Sequence, residues 1–342
     1  MPYPLLLRIA TRQVTLSPGD ERIHRAGPSD TPDRAGRIEG RPGRPYSGGM
    51  DDEAYAGPLV VADDLDDDRL ADYRDLNDPA YRRRLEAELG IVVVEGRVAV
   101  RRLLDSDLEV RSLVVDDHQV ALADDLVSAV RGRGATVFVV PRARMAALVG
   151  FRLHRGVVAV AARPPEADTG TVLARAARTP SVDAGPPLVV VLEGLNDPEN
   201  IGAVFRNAAA FGAAAVLVDP TCGDPLYRRA IRVSAGHALH LPFARLDPWP
   251  DGLGIVREAG FAVCALVPNP PAGDGGPERL TLRRLAGRRR PTAVLLGAEG
   301  PGLSAAALDA VDTVVTIPMA EGIDSLNVAT AAAVVLERLS GP

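Results

Sequence analysis

The C-terminal half of the chain alternates short apolar runs with segments of helical spacing. The runs at 188–192 and 292–296 consist almost only of Val, Leu and Ala, which is typical of parallel strands buried on both faces. Such runs predict strands at 187–195, 214–218, 239–243, 261–267, 292–296 and 313–317. Helical spacing predicts helices at 200–211, 226–236, 252–259 and 325–339. The alternation predicts an α/β domain over 187–342, with a mostly parallel sheet covered on both faces.

A second, smaller α/β unit is predicted over residues 90–163. Its apolar runs predict strands at 91–94, 110–115, 136–140 and 157–162, and helical spacing predicts helices at 98–104 and 121–131. Residues 164–186 are rich in Pro, Ala and Thr and predict a linker with a short helix at 172–178.

The first 89 residues differ from the rest of the chain in composition and in the absence of a clear hydrophobic period. Residues 1–50 are rich in Arg, Pro and Gly without periodicity, which predicts little fixed structure. This extension is either a basic arm that grips nucleic acid or a dispensable tail, with Met50 as the true start. Residues 51–89 hold an acidic run at 63–68, interpreted as a solvated charge run, and a short helix predicted at 80–89.

Charge is distributed unevenly along the chain, whose net charge is −6. Residues 1–50 carry +3 and residues 51–90 carry −8, so the rest is close to neutral. Neutrality does not exclude phosphate binding where arginines are grouped. The two cysteines, Cys222 and Cys264, have no metal-site or disulfide spacing, which predicts a reducing cytoplasm and no metal. No apolar run is long enough for a membrane span, and no signal peptide is indicated.

Polar residues and glycines interrupt the C-terminal pattern in three blocks. The first block contains the segment 195–208, which reads LNDPENIGAVFRNA. The second is the loop GAEGPG at 297–302, and the third reads SLN at 325–327, after the strand that ends near Ile317. Loops at the carboxyl ends of neighbouring parallel strands form the usual ligand crevice of an α/β sheet.

Taken together and in this order, the three blocks resemble the motifs of the SpoU/TrmH family of RNA ribose 2'-O-methyltransferases, within the SPOUT class. The resemblance covers about 188–339 and implies a trefoil-knotted catalytic domain, S-adenosylmethionine as methyl donor, and a homodimer through that domain. The unit at 90–163 is similar to the ribosomal-protein-like substrate-binding domain of the family in element order, position and the segment Val94-Glu95-Gly96.

The resemblance assigns site residues to this sequence. It implies that the methyl donor is contacted, largely through the backbone, by Gly297, Ile317 and Leu326. It implies a catalytic group made of Arg206, Asn200, Glu299, Ser325 and Asn327. Each also has a structural interpretation, as a turn glycine, a core residue, a helix cap or a structural carboxylate.

Two roles stay open for Arg206. The matching arginine of the family is central to activating the ribose hydroxyl, and Arg206 is either a general base or a clamp for RNA phosphate. An arginine with a pKa of about 12.5–13.8 almost never loses its proton in a protein, which makes the clamp an equally good hypothesis.

Candidate RNA contacts come from arginines in both predicted domains. The predicted helix at 226–236 carries Arg228, Arg229 and Arg232, and the end of the smaller unit carries Arg152 and Arg155. Arginine suits phosphate contact, although a solvated arginine face is the alternative.

Two rival functions are weaker than a methyltransferase. A nicotinamide-dependent dehydrogenase needs a G-x-G-x-x-G turn, and only Gly202 occurs between 197 and 206, although Asp219 fits the acid that ends the second strand. A non-catalytic RNA-binding protein would be expected to lose the polar site residues that this chain retains. The sequence therefore predicts methyl transfer to a ribose 2'-hydroxyl of structured RNA, with ribosomal RNA favoured over transfer RNA because of the extra N-terminal domain.

Overall fold

The computed structural model describes residues 57–78, 89–153, 156–268 and 277–341. The predictions for the extension 1–50, for most of the helix at 80–89 and for Arg155 lie outside these residues.

The N-terminal unit is a five-stranded mixed sheet with helices on both faces. Its strands are β1 (Leu59–Val61), β2 (Ile91–Glu95), β3 (Val110–Asp116), β4 (Thr136–Val140) and β5 (Val157–Ala162). The strand order is β1-β4-β3-β5-β2, and β5 runs antiparallel to both of its neighbours. One face is covered by α1 (Arg97–Leu104) and α2 (Asp124–Gly132). The other face is covered by α3 (Arg142–Val149) and a 3-10 helix (Asp68–Tyr73).

Residues 57–78 belong to this sheet, although the sequence pattern assigns them to a separate acidic segment. Strand β1 pairs in parallel with β4. Leu70 and Tyr73 are fully buried, and the Tyr73 hydroxyl is 2.7 Å from Ser112 Oγ. A three-residue strand has too few positions to show a period, so its partner strand decides its conformation.

The C-terminal unit contains a seven-stranded sheet in which every pairing is parallel, which confirms the predicted architecture. Its strands are β6 (Leu188–Glu193), β7 (Ala215–Val218), β8 (Phe243–Arg245), β9 (Ala262–Leu266), β10 (Glu278–Thr281), β11 (Thr292–Gly297) and β12 (Thr313–Thr316). The order across the sheet is β10-β12-β9-β11-β6-β7-β8. The central strands β6 and β11 are buried along almost their whole length, as their uninterrupted apolar runs predict.

Helices cover both faces of this sheet. Three of them, α5 (Pro198–Ala210), α8 (Leu282–Ala286) and α10 (Val328–Ser340), pack on one face. Another three, α4 (Thr169–Ala176), α7 (Leu253–Glu258) and α9 (Ala305–Asp309), pack on the other. The remaining helix, α6 (Arg228–Val233), lies at the junction with the N-terminal unit.

Several predicted elements differ from the observed ones. The linker 164–186 contains α4, whose Val172 and Leu173 are buried in the core of the C-terminal sheet, so this segment packs as part of that unit. The strand predicted at 239–243 lies instead at Phe243–Arg245, because residues 237–239 form a 3-10 turn and Pro242 has no backbone N–H. The segment between the strands predicted at 261–267 and 292–296, for which the sequence pattern indicates no element, contains β10 and α8. The trefoil knot stays a prediction, because strand order and register do not describe the path of the chain through its loops.

Candidate active site

A cavity of about 410 Å³ lies at the carboxyl ends of three adjacent strands, β12, β9 and β11. Its volume is within the range of small-molecule sites. It is lined by the segment after β9, by the glycine-rich loop after β11, and by the segment between β12 and α10. Six residues predicted from the sequence line it together: Gly297, Glu299, Ile317, Ser325, Leu326 and Asn327.

The glycine-rich loop closes tightly over the end of β11. The Gly302 N–H donates to the Ala298 carbonyl at 3.0 Å, and Gly300 and Gly302 have φ of 89° and 69°. A Cβ on Gly297 would lie 2.5 Å from the Gly302 carbonyl carbon. Glycine is therefore required at 297 by the close approach of two backbone segments, and at 300 and 302 it suits the left-handed backbone.

Asn327, in the third block, is hydrogen-bonded to one residue in each of the other two blocks. Its Nδ2 donates to Asn200 Oδ1 at 2.9 Å and to Glu299 Oε1 at 2.7 Å. Its Oδ1 accepts from the N–H groups of Ala329 and Thr330, so Asn327 is the N-cap of α10. The cap directs the amide nitrogen toward the two acceptors, and the three side chains form one hydrogen-bonded group at the cavity.

The first block begins its helix differently from the prediction. Asp197 is the N-cap of α5, accepting from the Glu199 N–H at 3.0 Å, and Pro198 occupies the first helical position. Asn200 therefore lies inside α5 and is not its cap. Asn200 is buried, with 8% of its surface exposed, and its side-chain amide oxygen accepts a hydrogen bond from Asn327 Nδ2.

Substitution of Asn327 is expected to separate helix capping from the polar network. Asn327→Ala removes the cap and is expected to lower the free energy of unfolding by about 1 kcal/mol. Asn327→Asp keeps an acceptor for the cap, but it replaces the donor to Asn200 and Glu299 with a carboxylate that repels Glu299. We expect Asn327→Asp to unfold in urea near the wild-type midpoint, yet to lose most of the methyl transfer activity that the sequence resemblance implies. Wild-type activity in Asn327→Asp would contradict a role for the network.

Arg206 does not line this cavity. It is exposed on α5, six residues after Asn200, which places it about 9 Å further along the helix and about 120° around it. Burial lowers the pKa of the His237 imidazole below its usual value, and the charges of Arg102 and Arg206 lower it further. Arg206 is therefore close enough to His237 for its charge to act there, and it lies outside the cavity lining of its own chain.

The arginines predicted to contact RNA differ in their exposure to solvent. Arg152, Arg229 and Arg232 are exposed, while Arg155 lies outside the described residues. Arg228 is buried, with 5% of its surface exposed, and forms an ion pair with Glu95. The Arg228 guanidinium is therefore closed to RNA in this structure, unlike the predicted contact, because Glu95 of the N-terminal unit is paired with it.

Glu193 supports the cavity and was not identified from the sequence. This buried carboxylate at the end of β6 accepts from the Ser304 N–H at 2.9 Å, from Ser304 Oγ at 2.6 Å and from Trp249 Nε1 at 2.7 Å. Ser304 caps α9 and follows the glycine-rich loop, so Glu193 anchors that loop to the centre of the sheet. The available signal was an acidic residue, followed by glycine, at the end of an otherwise apolar strand.

The rival dehydrogenase is not supported by the geometry. Asp219, the candidate for a ribose-binding acid, accepts from Thr221 N–H, Thr221 Oγ1 and Cys222 N–H, so its carboxylate is used within its own loop. Across the described ranges no group of His, Cys, Asp and Glu side chains is arranged to hold a metal ion. The helices of the same ranges are all too short or too polar to cross a membrane.

The features of the cavity suit a nucleoside ligand such as S-adenosylmethionine. Its walls combine apolar side chains, among them Leu296, Leu303 and Met319, with backbone exposed at strand ends and glycines. Backbone groups can bind an adenine edge and a ribose without a bulky side chain in the way. Fold and cavity together define a small-molecule-binding α/β domain with its ligand site at the carboxyl edge of a parallel sheet.

Comparison with known proteins specifies the family. Residues 187–337 match the SpoU rRNA Methylase family, and residues 93–167 match the RNA 2'-O ribose methyltransferase substrate binding family. An uncharacterized tRNA/rRNA methyltransferase of Mycobacterium tuberculosis is 45% identical over 271 residues, which is 79% of this chain and 88% of that protein. The chain belongs to the SpoU family of RNA methyltransferases.

Solved structures agree with this assignment. The SpoU methyltransferase AviRb from Streptomyces viridochromogenes, in complex with the cofactor AdoMet, superposes with a TM-score of 0.62 at 25% identity. That match covers 80% of this chain and 97% of AviRb. An RNA 2'-O ribose methyltransferase superposes with a TM-score of 0.63 at 26% identity, covering 82% of this chain and 97% of the other.

Proposed function

We propose that this protein transfers the methyl group of S-adenosylmethionine to a ribose 2'-hydroxyl of structured RNA. The observation that carries the proposal is the meeting of Gly297, Ile317 and Leu326 with the Asn327 network in one cavity. The AviRb complex with AdoMet and the related RNA 2'-O ribose methyltransferase support the donor and the acceptor atom. Ribosomal RNA in the cytoplasm is the favoured substrate, because the family described as rRNA methylase matches the catalytic unit.

The chemistry divides between donor and protein. The donor supplies a methyl group made electrophilic by a sulfonium. The protein must hold both reactants in line while the ribose oxygen bonds to the methyl carbon, the sulfur–methyl bond breaks to leave S-adenosylhomocysteine, and the hydroxyl proton passes to a basic group or to water. It must also stabilise the negative charge that develops on the ribose oxygen. The Asn327 amide donates to the Glu299 carboxylate at the cavity, and in this proposal that carboxylate accepts a hydrogen bond from the incoming hydroxyl.

Arg206 enters this scheme through a second copy of the chain. Because Arg206 is exposed and does not line the cavity of its own chain, we propose that it acts at the cavity of the partner in a homodimer formed by the catalytic unit. Exposed apolar side chains on the segment after β12 and on α10 support such an interface: Ile323, Leu326 and Val334 expose 54%, 37% and 39% of their surface. Contiguous exposed apolar residues mark interaction sites.

The proposed function is tested by tritium transfer from labelled S-adenosylmethionine to total RNA, with light scattering on the same preparation. We expect label in one RNA size class, released on digestion as a 2'-O-methylated nucleoside, and a mass twice that of the 36.0 kDa chain. Label on a base would contradict the 2'-hydroxyl as acceptor. Absence of both transfer and donor binding would exclude a methyltransferase and leave a non-catalytic RNA-binding protein.

A further inference from the structure

The junction between the two units is built around α6. The side chains of Leu226 and Ile231 extend from the catalytic unit into the core of the N-terminal unit, where they belong to the same apolar cluster as Val92 and Val94 of β2. On the other side of the junction, Arg163 forms an ion pair with Asp224 at 2.7 Å. The N-terminal sheet and α6 are therefore in direct side-chain contact through both apolar and charged groups.

Arg228 lies at the centre of this junction. Its Nη1 donates to Glu95 Oε2 at 2.5 Å, and its Nη2 donates to Asn77 Oδ1 at 3.1 Å. The guanidinium carbon is 4.1 Å from the centroid of the Phe151 ring. These contacts come from three separate segments of the N-terminal unit. A single side chain of the catalytic unit therefore contacts all three segments at once.

The pair is almost wholly removed from solvent, with 5% of Arg228 and 7% of Glu95 exposed. A buried ion pair loses hydration, and apolar residues of similar size often give equal or greater stability. Unlike an apolar contact, the planar guanidinium satisfies its partners in only one relative geometry. Arg232, one helical turn further along α6, lies 3.9 Å from the other carboxylate oxygen of Glu95 but is exposed, and Arg229 is exposed as well, so Arg228 is the buried arginine of this helix.

We propose that Arg228 and Glu95 are a positioning pair that fixes the N-terminal unit in one orientation on the catalytic unit. A structured RNA held by the N-terminal unit is then presented to the cavity in a single register. The orienting role stands on the contacts of the junction, while its purpose rests on the proposed function. Neither residue touches donor or ribose in this scheme; both act through the placement of the RNA.

The orientation is tested by double electron–electron resonance between spin labels on Leu122→Cys and Ile255→Cys, one in each unit, with the labelled chain diluted in an excess of unlabelled chain so that distances between protomers of a dimer do not contribute. These two positions are exposed, whereas the native Cys222 and Cys264 are buried. We expect one narrow distance distribution for the otherwise wild-type chain and a broad or shifted one for Arg228→Gln. The matched control is Arg131→Gln, since Arg131 is equally buried and its Nε donates to the Gly57 carbonyl, which also belongs to the N-terminal unit.

A variant that removes only one charge of a buried pair is at risk of misfolding. The double variant Glu95→Gln/Arg228→Gln removes both charges together and carries the test if the single variant does not fold. A narrow, unshifted distribution in a folded Arg228→Gln or in the double variant would overturn the positioning role.

The purpose of the pair is tested by methyl transfer to the RNA fraction that accepts label from the wild-type chain. We expect Arg228→Gln to lower kcat/KM by about tenfold to a hundredfold, mainly through KM for RNA, with the donor Kd unchanged. Arg228→Lys keeps the charge beside Glu95 but not the second hydrogen bond, and is expected to recover part of the loss. A broadened distance distribution with wild-type kcat/KM would overturn RNA presentation. Absence of transfer in the wild type would refute the proposed function, while the distance measurement still decides the orientation.

Discussion

Replacement of Arg206 by alanine is expected to lower the rate of methyl transfer by about a hundredfold or more, with the fold and donor binding unchanged. Within the described part of the chain, Arg206 has neither a hydrogen bond nor an ion pair, and it is exposed on α5. Its loss is therefore expected to change the free energy of unfolding by no more than about 0.5 kcal/mol. The large effect on rate follows because a fixed cation beside a developing oxyanion typically contributes about 10²–10³ in rate.

The lysine variant separates the two roles of Arg206. A clamp on RNA phosphate uses the planar fork of the guanidinium, which binds two oxygens at once, and lysine supplies only a point charge. A general base must lose its proton, and lysine with a reference pKa of about 10.4 does so more readily than arginine. We therefore expect Arg206→Lys to remain nearly as impaired as Arg206→Ala if the fork is required, and to retain substantial activity if it is not.

The measurement is single-turnover transfer with enzyme in excess over RNA, combined with calorimetric titration of the donor. Arg178→Ala is a suitable control, because Arg178 is also an exposed arginine on the catalytic unit and lies just beyond α4, away from the cavity lining. Wild-type transfer by Arg206→Ala would remove Arg206 from the reaction. Loss of donor binding in that variant would instead indicate that Arg206 shapes the cavity.

The strands and the architecture of the catalytic unit can largely be predicted from the sequence, because its apolar runs are long enough to identify strands that are buried on both faces. The apolar runs that became β6, β9 and β11 needed no partner information to be identified as buried parallel strands. Once the strands are parallel, their carboxyl ends meet at one edge, so Gly297, Ile317 and Asn327 were brought together by topology alone.

Features that depend on a distant partner were missed or misplaced. The segment of α6 reads Arg-Arg-Ala-Ile-Arg-Val, and a six-residue helix with three arginines does not reveal which of them is buried. Arg228 is inward because Glu95 lies opposite, 133 residues away in the sequence. Glu193 was missed for a related reason, since its partners Trp249 and Ser304 lie 56 and 111 residues further along.

A repeated local feature connects these two carboxylates. Each ends an apolar strand and is followed by a glycine with positive φ, of 90° at Gly96 and 67° at Gly194. In both cases the turn leaves the carboxylate buried, with 7% exposed, and paired with a side chain from another element. A Glu-Gly pair after a buried strand therefore indicates, in this chain, a carboxylate that joins elements and not one that faces solvent.

Replacement of Gly297 by alanine is expected to raise the Kd for S-adenosylmethionine by at least about tenfold, which corresponds to about 1.4 kcal/mol. The added Cβ would lie 2.5 Å from the Gly302 carbonyl carbon and 2.6 Å from both the Gly302 oxygen and the Leu303 nitrogen. All three are backbone atoms, so no side chain can rotate away to relieve the contact. The glycine-rich loop must move outward, and this loop is one wall of the cavity.

The same displacement is expected to lower thermal stability moderately. Overpacking typically costs about 1–3 kcal/mol. The anchor of the loop through Glu193 and Ser304 limits how far the backbone can adjust. Calorimetric titration of the donor, with circular dichroism to follow unfolding, measures both effects on one preparation.

Gly254→Ala is the matched control for this substitution. Gly254 lies in α7, and apart from its chain neighbours and the backbone of its own helix, no atom of the described residues lies within 4 Å of the position that its Cβ would occupy. Alanine there is expected to leave donor binding unchanged and to stabilise the chain slightly, by about 0.5–1 kcal/mol, through the higher helix propensity of alanine. Wild-type donor affinity in a folded Gly297→Ala would mean that the loop after β11 does not contact the donor, and the cavity would then lose its assignment as the methyl-donor site.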